Sequence, residues 1–236
     1  MLEINSIILI IIFFTSVIQS LFGVGILLFG TPILLLFDFQ YLDVLNILLP
    51  ISITVNFFQF NKHLSILDKK LVSNLILLVL PIIVLSLSVA IYIDINFNRF
   101  IAIFLIFVSL YRSLKISSIA SFIDTKTYLI IMGFIHGLTN LGGSLLTAYI
   151  FPKKWDKIKK RANIAFCYSI FAITQLLTLW INKSINIEKE IIIYGVIALI
   201  TYTIVNRYIF IKINNSTFTN MISILLLIFG IMLLIQ

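Results

Sequence analysis

The sequence predicts an all-α polytopic membrane protein, and two observations lead to that prediction. Apolar residues make up 61% of the 236 residues and charged residues only 11%, whereas about a quarter of the residues in soluble domains are charged. Apolar runs of about 18 or more residues, the length needed to cross a hydrocarbon core, recur along the whole chain. The short alternating segments that are typical of a transmembrane β-barrel do not occur.

The apolar runs follow one another from the N-terminus and are separated by short polar loops. They span 5–37, 41–60, 71–93, 98–114, 127–151, 162–182, 190–210 and 218–235. The first run is long enough for about 50 Å of helix, which exceeds one crossing. It is therefore either one strongly tilted span or a hairpin of two short helices.

Two of these runs are broken near their middle by small and polar residues. The breaks lie at 19–25 and 136–143, and a shift of 117 positions lays one upon the other without a gap. A backbone interrupted at membrane depth leaves N–H and C=O groups unsatisfied, so it persists only where it lines a protein-enclosed cavity. Two such interruptions in corresponding halves indicate the binding site of a transporter.

The distribution of Lys and Arg residues decides how the long runs cross the membrane. If every run crosses once, the two sides hold nearly equal numbers of basic residues, contrary to the positive-inside rule. If 5–37 and 127–151 are re-entrant hairpins, the loops on one side hold 14 of the 17 Lys and Arg residues. Those loops are 61–70, 112–126, 152–161 and 207–217. The sequence therefore predicts the hairpin arrangement. The protein is expected in the inner (cytoplasmic) membrane, with both of its termini outside.

This arrangement also predicts how the chain is divided. Each half contains one hairpin and three crossing helices, an odd number, so the halves 1–117 and 118–236 form two inverted repeats. The two hairpins then enter from opposite faces and can bring their tips together near the midplane, as in other inverted-repeat transporters.

The breaks provide chemistry that suits an anion. The second short helix of each hairpin is expected to begin near Gly25 or near Gly142 and Gly143, where its first N–H groups lack helical partners and lie at the positive end of the helix dipole. The oxygens of an anion can satisfy these groups, and glycine allows the close approach that this requires. The alternative is that these glycines only allow close packing of the helices.

His136 is the only His, Lys, Arg, Asp or Glu near the middle of a run, and Gln19 occupies its position in the first half. It can donate to an anion or accept a coupling proton, or it is a neutral histidine that is hydrogen-bonded inside the bundle. Further candidates are Asn and Ser pairs that the repeat duplicates, although buried amides also join helices. The candidate substrate-binding residues are Gln19, Gly23, Val24, Gly25, Asn46, Ser52, His136, Thr139, Asn140, Gly142, Gly143, Asn163 and Ser169.

Other classes of function lack support in the sequence. There is no His-Glu-x-x-His motif, no phosphate-binding loop and no nucleophile paired with a base, so neither an enzyme nor a metal or cofactor site is predicted. The net charge of +8 lies in short loops between spans, which is typical of topogenic lysines and not of nucleic-acid binding. The expected partners are a small anionic substrate and membrane lipid.

Two segments resemble motifs of the TauE/SafE family of sulfite and organosulfur-anion exporters, whose members have a Gly-rich break early in each half. Residues 22–34 are similar to the first motif and residues 137–144 to the second. The resemblance implies a secondary transporter for small sulfur-containing anions such as sulfite, sulfonates or thiosulfate. The alternative is a non-transporting membrane subunit or assembly factor, which would not need polar groups converging at the midplane.

Overall fold

The structure is a computed structural model that describes residues 5–93, 99, 101–107, 124–210 and 212, together with 227, 228, 231, 232, 234 and 235. The described residues form helices and their connections, without a β-strand. The predicted runs 98–114 and 218–235 lie largely outside them. The helices are α1 (Ser6–Phe22), α2 (Ile26–Leu36), α3 (Tyr41–Phe60), α4 (Lys69–Asn74), α5 (Leu80–Tyr92), α6 (described over 101–107), α7 (Thr125–Thr139), α8 (Gly142–Ile150), α9 (Lys157–Ile181) and α10 (Ile191–Tyr208).

Two irregular helical pieces extend the regular helices. A 3-10 helix, Asn61–Ile66, continues α3, and a π-helical turn, Leu75–Val79, joins α4 to α5. The π turn comes just before Pro81 at the start of α5, whose ring and missing N–H prevent the regular helical hydrogen bond. The stretch from α4 to α5 therefore forms one membrane-length helix.

The described part of the chain has four helical stretches long and apolar enough to cross a membrane: Tyr41–Ile66, Lys69–Tyr92, Lys157–Ile181 and Ile191–Tyr208. Their outward faces are apolar, with Leu77 68% and Trp180 65% exposed, whereas polar side chains such as those of Gln19 and His136 are 0% exposed. Polar groups inside and apolar groups outside are the arrangement that lipid requires. The chain is a helical membrane protein, as its composition predicts.

Carboxylate caps fix where several helices begin. Asp68 accepts a hydrogen bond from the N–H of Leu71 at 2.7 Å, and Asp156 caps α9 in the same way. The spans predicted to start at 71 and 162 therefore start at 69 and 157, because the capping residue sets a helix start more closely than the apolar pattern does. Asp124 caps α7, and its hydrogen bonds with Thr127 lower the pKa of its carboxyl group.

Both broken runs fold back on themselves as antiparallel helix pairs. Ile7 and Ile10, at the start of α1, share an outer groove with Ile33 and Phe37, at the end of α2. At the start of α7, the Tyr128 ring stacks on the ring of Tyr149, near the end of α8, with 5.7 Å between centroids. We refer to α1 with α2 as the first hairpin and to α7 with α8 as the second hairpin.

The two hairpins open at opposite ends of the bundle. Helices α3 and α9 are antiparallel, because Asn46 near the start of α3 binds Ser184 after α9, and Phe60 at the end of α3 contacts Phe166 early in α9. The first hairpin opens where α3 begins, beside a cavity of about 870 Å³ that Asn5 and Asn46 line together. The second hairpin opens where α9 begins, since Lys160 of α9 donates to the carbonyl oxygen of Phe151 at 2.8 Å.

Candidate functional site

The first break is a turn made by glycine. Helix α1 ends at Phe22, and Gly23 follows with φ +77°, in the left-handed region that glycine adopts without steric cost. The N–H of Gly23 donates to the carbonyl oxygen of Gln19 at 2.9 Å, which is the usual bond at a left-handed helix end. The chain then reverses direction and α2 begins at Ile26.

The side chain of Gln19 closes this break from within. Its Nε2 atom donates to the carbonyl oxygen of Gly23 at 3.0 Å and to Oδ1 of Asn56, and its Oε1 atom accepts from the N–H of Ile26 at 3.2 Å. Asn56 donates in turn to Oγ of Ser52 at 3.1 Å. The first N–H group of α2, which would otherwise lack a partner, is therefore satisfied by the protein itself.

The second break has the same left-handed turn without a glycine, and its second helix begins one aligned residue earlier. Helix α7 ends at Thr139, and Asn140 follows with φ +62°, its N–H donating to the carbonyl oxygen of His136 at 2.8 Å. Asparagine is among the few residues besides glycine that adopt this conformation readily. Asn140 and Gly23 are 117 positions apart, so the shift found in the sequence aligns the two turns. Oγ1 of Thr139 also accepts from the N–H of Leu141 at 3.1 Å.

Each break is also supported by a glutamine from a crossing helix. Gln59 of α3 donates to the carbonyl oxygen of Gln19 at 3.0 Å, and Gln175 of α9 donates to that of His136 at 3.4 Å. Sequence reasoning missed the role of both glutamines, because the shift of 117 aligns neither of them with the other. The feature that could have identified them is that both glutamines lie near the C-terminal end of corresponding helices, α3 and α9.

The ring of His136 lies in an aromatic enclosure. Its centroid is 4.9 Å from that of Phe171 and 5.6 Å from that of Tyr168. The residue is fully buried, and although neither ring nitrogen makes a hydrogen bond of regular geometry with a described residue, the side chain of Gln175 interacts with the ring. Both readings of His136, as a group that binds an anion or a proton and as a histidine held by polar contacts within the bundle, therefore stay open.

Two further buried polar atoms lie near His136: Oδ1 of Asn140, which has no partner among the described residues, and the hydroxyl of Tyr168, which interacts with the backbone of Gly143. The Tyr168 hydroxyl lies against Gly143, in the space that a side chain at residue 143 would fill. His136 lies against Gly142 in the same way, with Nδ1 3.0 Å from the position of a Cβ. These groups gather at the N-terminus of α8.

Gly25, Gly142 and Gly143 allow close approach of neighbouring groups. A Cβ at Gly25 would meet backbone atoms of α1, including the carbonyl oxygen of Thr15 at 2.6 Å, so the packing role expected as the alternative applies there. At Gly142 and Gly143 the neighbours are instead the polar side chains of His136 and Tyr168. Val24, between the glycines of the first break, is fully buried.

The two hairpins meet on α9. Nδ2 of Asn140 donates to Oγ1 of Thr31 in α2 at 3.0 Å. Along α9, Ile164 lies against Gly23 and Tyr168 against Gly143, and one helical turn separates Ile164 from Tyr168. The two breaks are thus neighbours within the bundle.

Asn46 and Asn163 lie away from the breaks, at opposite ends of the bundle. Asn46 holds the loop 184–186: its amide nitrogen donates to the first carbonyl group at 3.1 Å, and its oxygen accepts from the last N–H at 3.0 Å. Asn163 makes the same two contacts with the loop 66–68, at 3.5 and 2.8 Å. Ser52 lies within the network of Gln19, whereas Ser169 is buried on α9 next to Tyr168.

Arg161 is a buried cation that sequence reasoning had left in a polar loop. It is 6% exposed in the first turns of α9, and Nη1 donates to the carbonyl oxygen of Ser20 at 2.9 Å and to Oδ1 of Asn206 at 2.8 Å. Its guanidinium carbon lies 3.5 Å from the ring centroid of Phe210. A cation near the C-terminal carbonyl groups of α1 stabilises that end of the first hairpin.

The candidate site therefore consists of dipoles, hydroxyls and amides inside an apolar bundle. Such groups can hold a small anion through hydrogen bonds and the positive end of a helix. Within the described ranges, no group of three or more His, Cys, Asp and Glu residues could hold a metal ion.

Helical crossings in an apolar shell and two broken helices in contact define a multi-pass membrane protein of the transporter class. The family model of the sulfite exporter TauE/SafE matches residues 8–233, and the chain belongs to this family. Neither a curated protein nor a solved structure matches the chain.

Proposed function

We propose that this protein is a secondary transporter that moves a small sulfur-containing anion, of the sulfite, sulfonate or thiosulfate class, across the cytoplasmic membrane. The observation that carries the proposal is the meeting of two broken helices at buried polar groups, some of which make no regular hydrogen bond with a described residue. Buried unpaired polar groups cost about 1–3 kcal/mol each, so a ligand that pairs with them repays part of that cost. Membership of a family described as sulfite exporters supports the choice of anion.

The proposed mechanism is alternating access between two inverted repeats, 1–117 and 118–236. The antiparallel packing of α3 on α9 and the opening of the two hairpins at opposite ends support this symmetry. So do the matching contacts of Asn46 and Asn163, each of which holds the loop after the crossing helix of the other half. In this mechanism the halves move against each other around the two breaks.

The residues proposed to bind the substrate are those at the breaks: Gln19, Gly23, Val24, Gly25, Ser52, His136, Thr139, Asn140, Gly142, Gly143 and Ser169. Asn46 and Asn163 belong to the proposal as residues that hold the loops while the halves move. The proposed orientation has both termini outside. The side with Lys160 and Arg161 then faces the cytoplasm, as the positive-inside rule favours.

The alternative function, a membrane subunit that only docks a partner, does not need buried unpaired polar groups at the breaks. An enzyme is a weaker alternative, because the groups gathered around His136 include no nucleophile hydrogen-bonded to a base. The partners that the proposal requires are the anion and the surrounding lipid, without a cofactor.

Transport into vesicles tests the proposal. Purified protein is reconstituted into liposomes, and the uptake of sulfite, thiosulfate, taurine and sulfoacetate is compared with that of protein-free liposomes. Asn140→Asp places a negative charge beside the breaks with almost no change in shape, and we expect it to reduce uptake at least tenfold. The matched control Asn5→Asp adds the same charge at the cap of α1, where aspartate caps equally well, and should transport normally. Absence of flux for sulfite, thiosulfate and sulfoacetate, and for the zwitterion taurine, would contradict the proposal.

A further inference from the structure

A groove opens on the outside of the bundle beside the start of α4, away from both breaks. Its volume is about 660 Å³, and its polar lining consists of Ser65, Lys69 and Ser73. The rest of the lining is apolar and comes from the segment 64–67, from α4, from the π-helical turn and from Phe166 of α9. We refer to it as the α4 groove. Its volume falls within the range of ligand sites in proteins.

The α4 groove is polar at the end of the bundle and apolar towards the middle. Lys69 is the first residue of the membrane-length stretch Lys69–Tyr92, and Ser73 and Leu77 follow at intervals of four residues. At 1.5 Å per residue, Leu77 lies about 12 Å deeper than Lys69. The headgroup layer on one side of a bilayer is about 5–8 Å thick. A lysine at the level of the headgroups therefore leads to an exposed apolar wall, Ile76 and Leu77, within the hydrocarbon.

The groove has a cation that the described residues leave unpaired, and its wall is already formed. The ammonium group of Lys69 makes neither an ion pair nor a hydrogen bond with a described residue. The carboxylate of the neighbouring Asp68 accepts from the N–H of Leu71 at 2.7 Å. Asn163 of α9 holds the loop 66–68 that forms part of the wall, with its oxygen accepting from the N–H of Asp68 at 2.8 Å. The groove therefore needs no rearrangement to accept a ligand.

We propose that the α4 groove binds one anionic phospholipid from the surrounding membrane. Its phosphate contacts Lys69 and accepts hydrogen bonds from the hydroxyls of Ser65 and Ser73, and one acyl chain lies along Ile76 and Leu77. A basic pocket between transmembrane helices suits an anionic headgroup. A zwitterionic choline lipid would bring its own cation close to Lys69, and like charges repel. This inference goes beyond the transport function proposed above and does not depend on it.

Native mass spectrometry of the purified full-length protein in detergent tests the inference. The probe is dioleoylphosphatidylglycerol, and dioleoylphosphatidylcholine is the comparison lipid with the same acyl chains. We expect saturable binding of one phosphatidylglycerol molecule at concentrations where phosphatidylcholine does not bind. Equal binding of the two lipids would overturn the inference, because the apolar wall alone would then account for the contact.

A pair of lysine variants tests whether the charge acts at the groove. Lys69→Gln should weaken phosphatidylglycerol binding about fivefold, the loss expected for one lysine beside an anionic headgroup. Lys70→Gln is the matched control, because Lys70 is the next residue and is also exposed but does not line the groove. It should bind like wild type. Equal losses in the two variants would show a general attraction to the basic end and would refute a site in the groove.

A second pair tests the shape of the groove without changing its charge. Ser73→Phe fills the groove and should abolish phosphatidylglycerol binding. Thr203→Phe makes the same kind of change at an exposed position of α10, outside the groove, and should leave binding unchanged. Binding by Ser73→Phe as tight as that of wild type would overturn the inference.

A soluble headgroup distinguishes a lipid from a free phosphate. Glycerophosphoglycerol has the headgroup of phosphatidylglycerol without acyl chains, and we expect it not to displace the lipid at equal concentration. Displacement would mean that the groove takes a phosphate group alone, and the lipid inference would be wrong. Anion flux into liposomes is measured independently, so failure here leaves the proposed transport function standing, and absence of flux leaves the lipid site standing.

Discussion

At the scale of single residues, Gln19 and His136 give two equivalent turns different chemical properties. Gln19 makes two hydrogen bonds across its break and a third with Asn56 of α3, whereas the ring of His136 interacts only with the side chain of Gln175 and bridges no backbone groups of its own break among the described residues. A carboxamide has both donor and acceptor atoms and can therefore pair with a carbonyl and an N–H at once. The first break is thus closed by a side chain of its own hairpin, whereas at the second the side chain of Tyr168 from α9 meets the backbone of Gly143.

The closure of the first break is expected to be important for stability. Gln19→Leu leaves the N–H of Ile26 and the carbonyl oxygen of Gly23 buried without their side-chain partner, at about 1–3 kcal/mol for each group. We expect a clear fall of the thermal denaturation midpoint in detergent. Gln40→Leu is the control, because Gln40 is exposed and makes no side-chain cap bond. Equal midpoints for the two variants would contradict this role of Gln19.

The turn at Asn140 allows a test of its backbone conformation. Asn140→Gly and Asn140→Ala both lose the hydrogen bond to Thr31, but only alanine is strained at φ +62°. The glycine variant should be the more stable by about 1–2 kcal/mol. Denaturation midpoints of both variants measure this difference, and an alanine variant as stable as the glycine variant would refute the left-handed turn.

At the scale of elements, the second hairpin packs on α5 through small residues. Gly133 lies against Val79, and Gly137 lies against Ile83 and Ser86, so the two glycines let α7 approach the neighbouring helix closely. Small residues four apart are a common means of helix packing in membranes, where dispersion contacts replace the hydrophobic effect.

A pair of glycine substitutions tests this packing. A Cβ at Gly137 would lie 2.8 Å from the carbonyl oxygen of Ile83, whereas nothing lies within 4 Å of a Cβ at Gly195. Gly137→Ala should therefore lower the denaturation midpoint. Gly195→Ala should leave it unchanged or raise it, because alanine favours helix by about 1 kcal/mol over glycine. If Gly137→Ala is as stable as Gly195→Ala, the close contact with α5 does not exist.

At the scale of the whole molecule, charge and topology agree. The end of the bundle where α9 begins contains Lys69, Lys157 and Lys160, whereas the opposite end contains Glu188 and Glu190, beside the cavity near Asn5, together with Lys183 and Lys189. In the proposed orientation the basic end faces the cytoplasm, as the positive-inside rule favours. The proposal then has each hairpin entering the membrane from a different side.

Cysteine labelling measures this orientation. In a Cys167→Ala background, Lys69→Cys and Lys157→Cys should react with an impermeant maleimide only from the cytoplasmic side, and Lys189→Cys only from the outside. Cys167 is buried, so the background substitution removes only a weak competitor. Labelling of positions 69 and 157 from opposite sides would contradict the hairpin topology.

Much of the fold can be predicted from local properties of the sequence. The span 41–60 coincides with α3, and the breaks at Gly23 and Asn140 end α1 and α7. The predicted starts of the helices were less accurate, because the residues that cap them, such as Asp68, lie outside the apolar runs. Of the candidate residues, Gln19, His136 and Asn140 gather at the breaks, whereas Asn46 and Asn163 lie at opposite ends.

The sequence by itself determined that the chain is a helical membrane protein with two interrupted helices. The length of an apolar run, and the pairing of backbone N–H and C=O groups within a helix, both depend on residues that are neighbours along the chain. Only the tertiary structure decided which polar groups remain unpaired. Whether Gln19 or Tyr168 finds a partner depends on contacts between residues far apart in sequence, such as Gln19 with Asn56. Hydrogen bonds of this kind form across helices, and no local pattern encodes them.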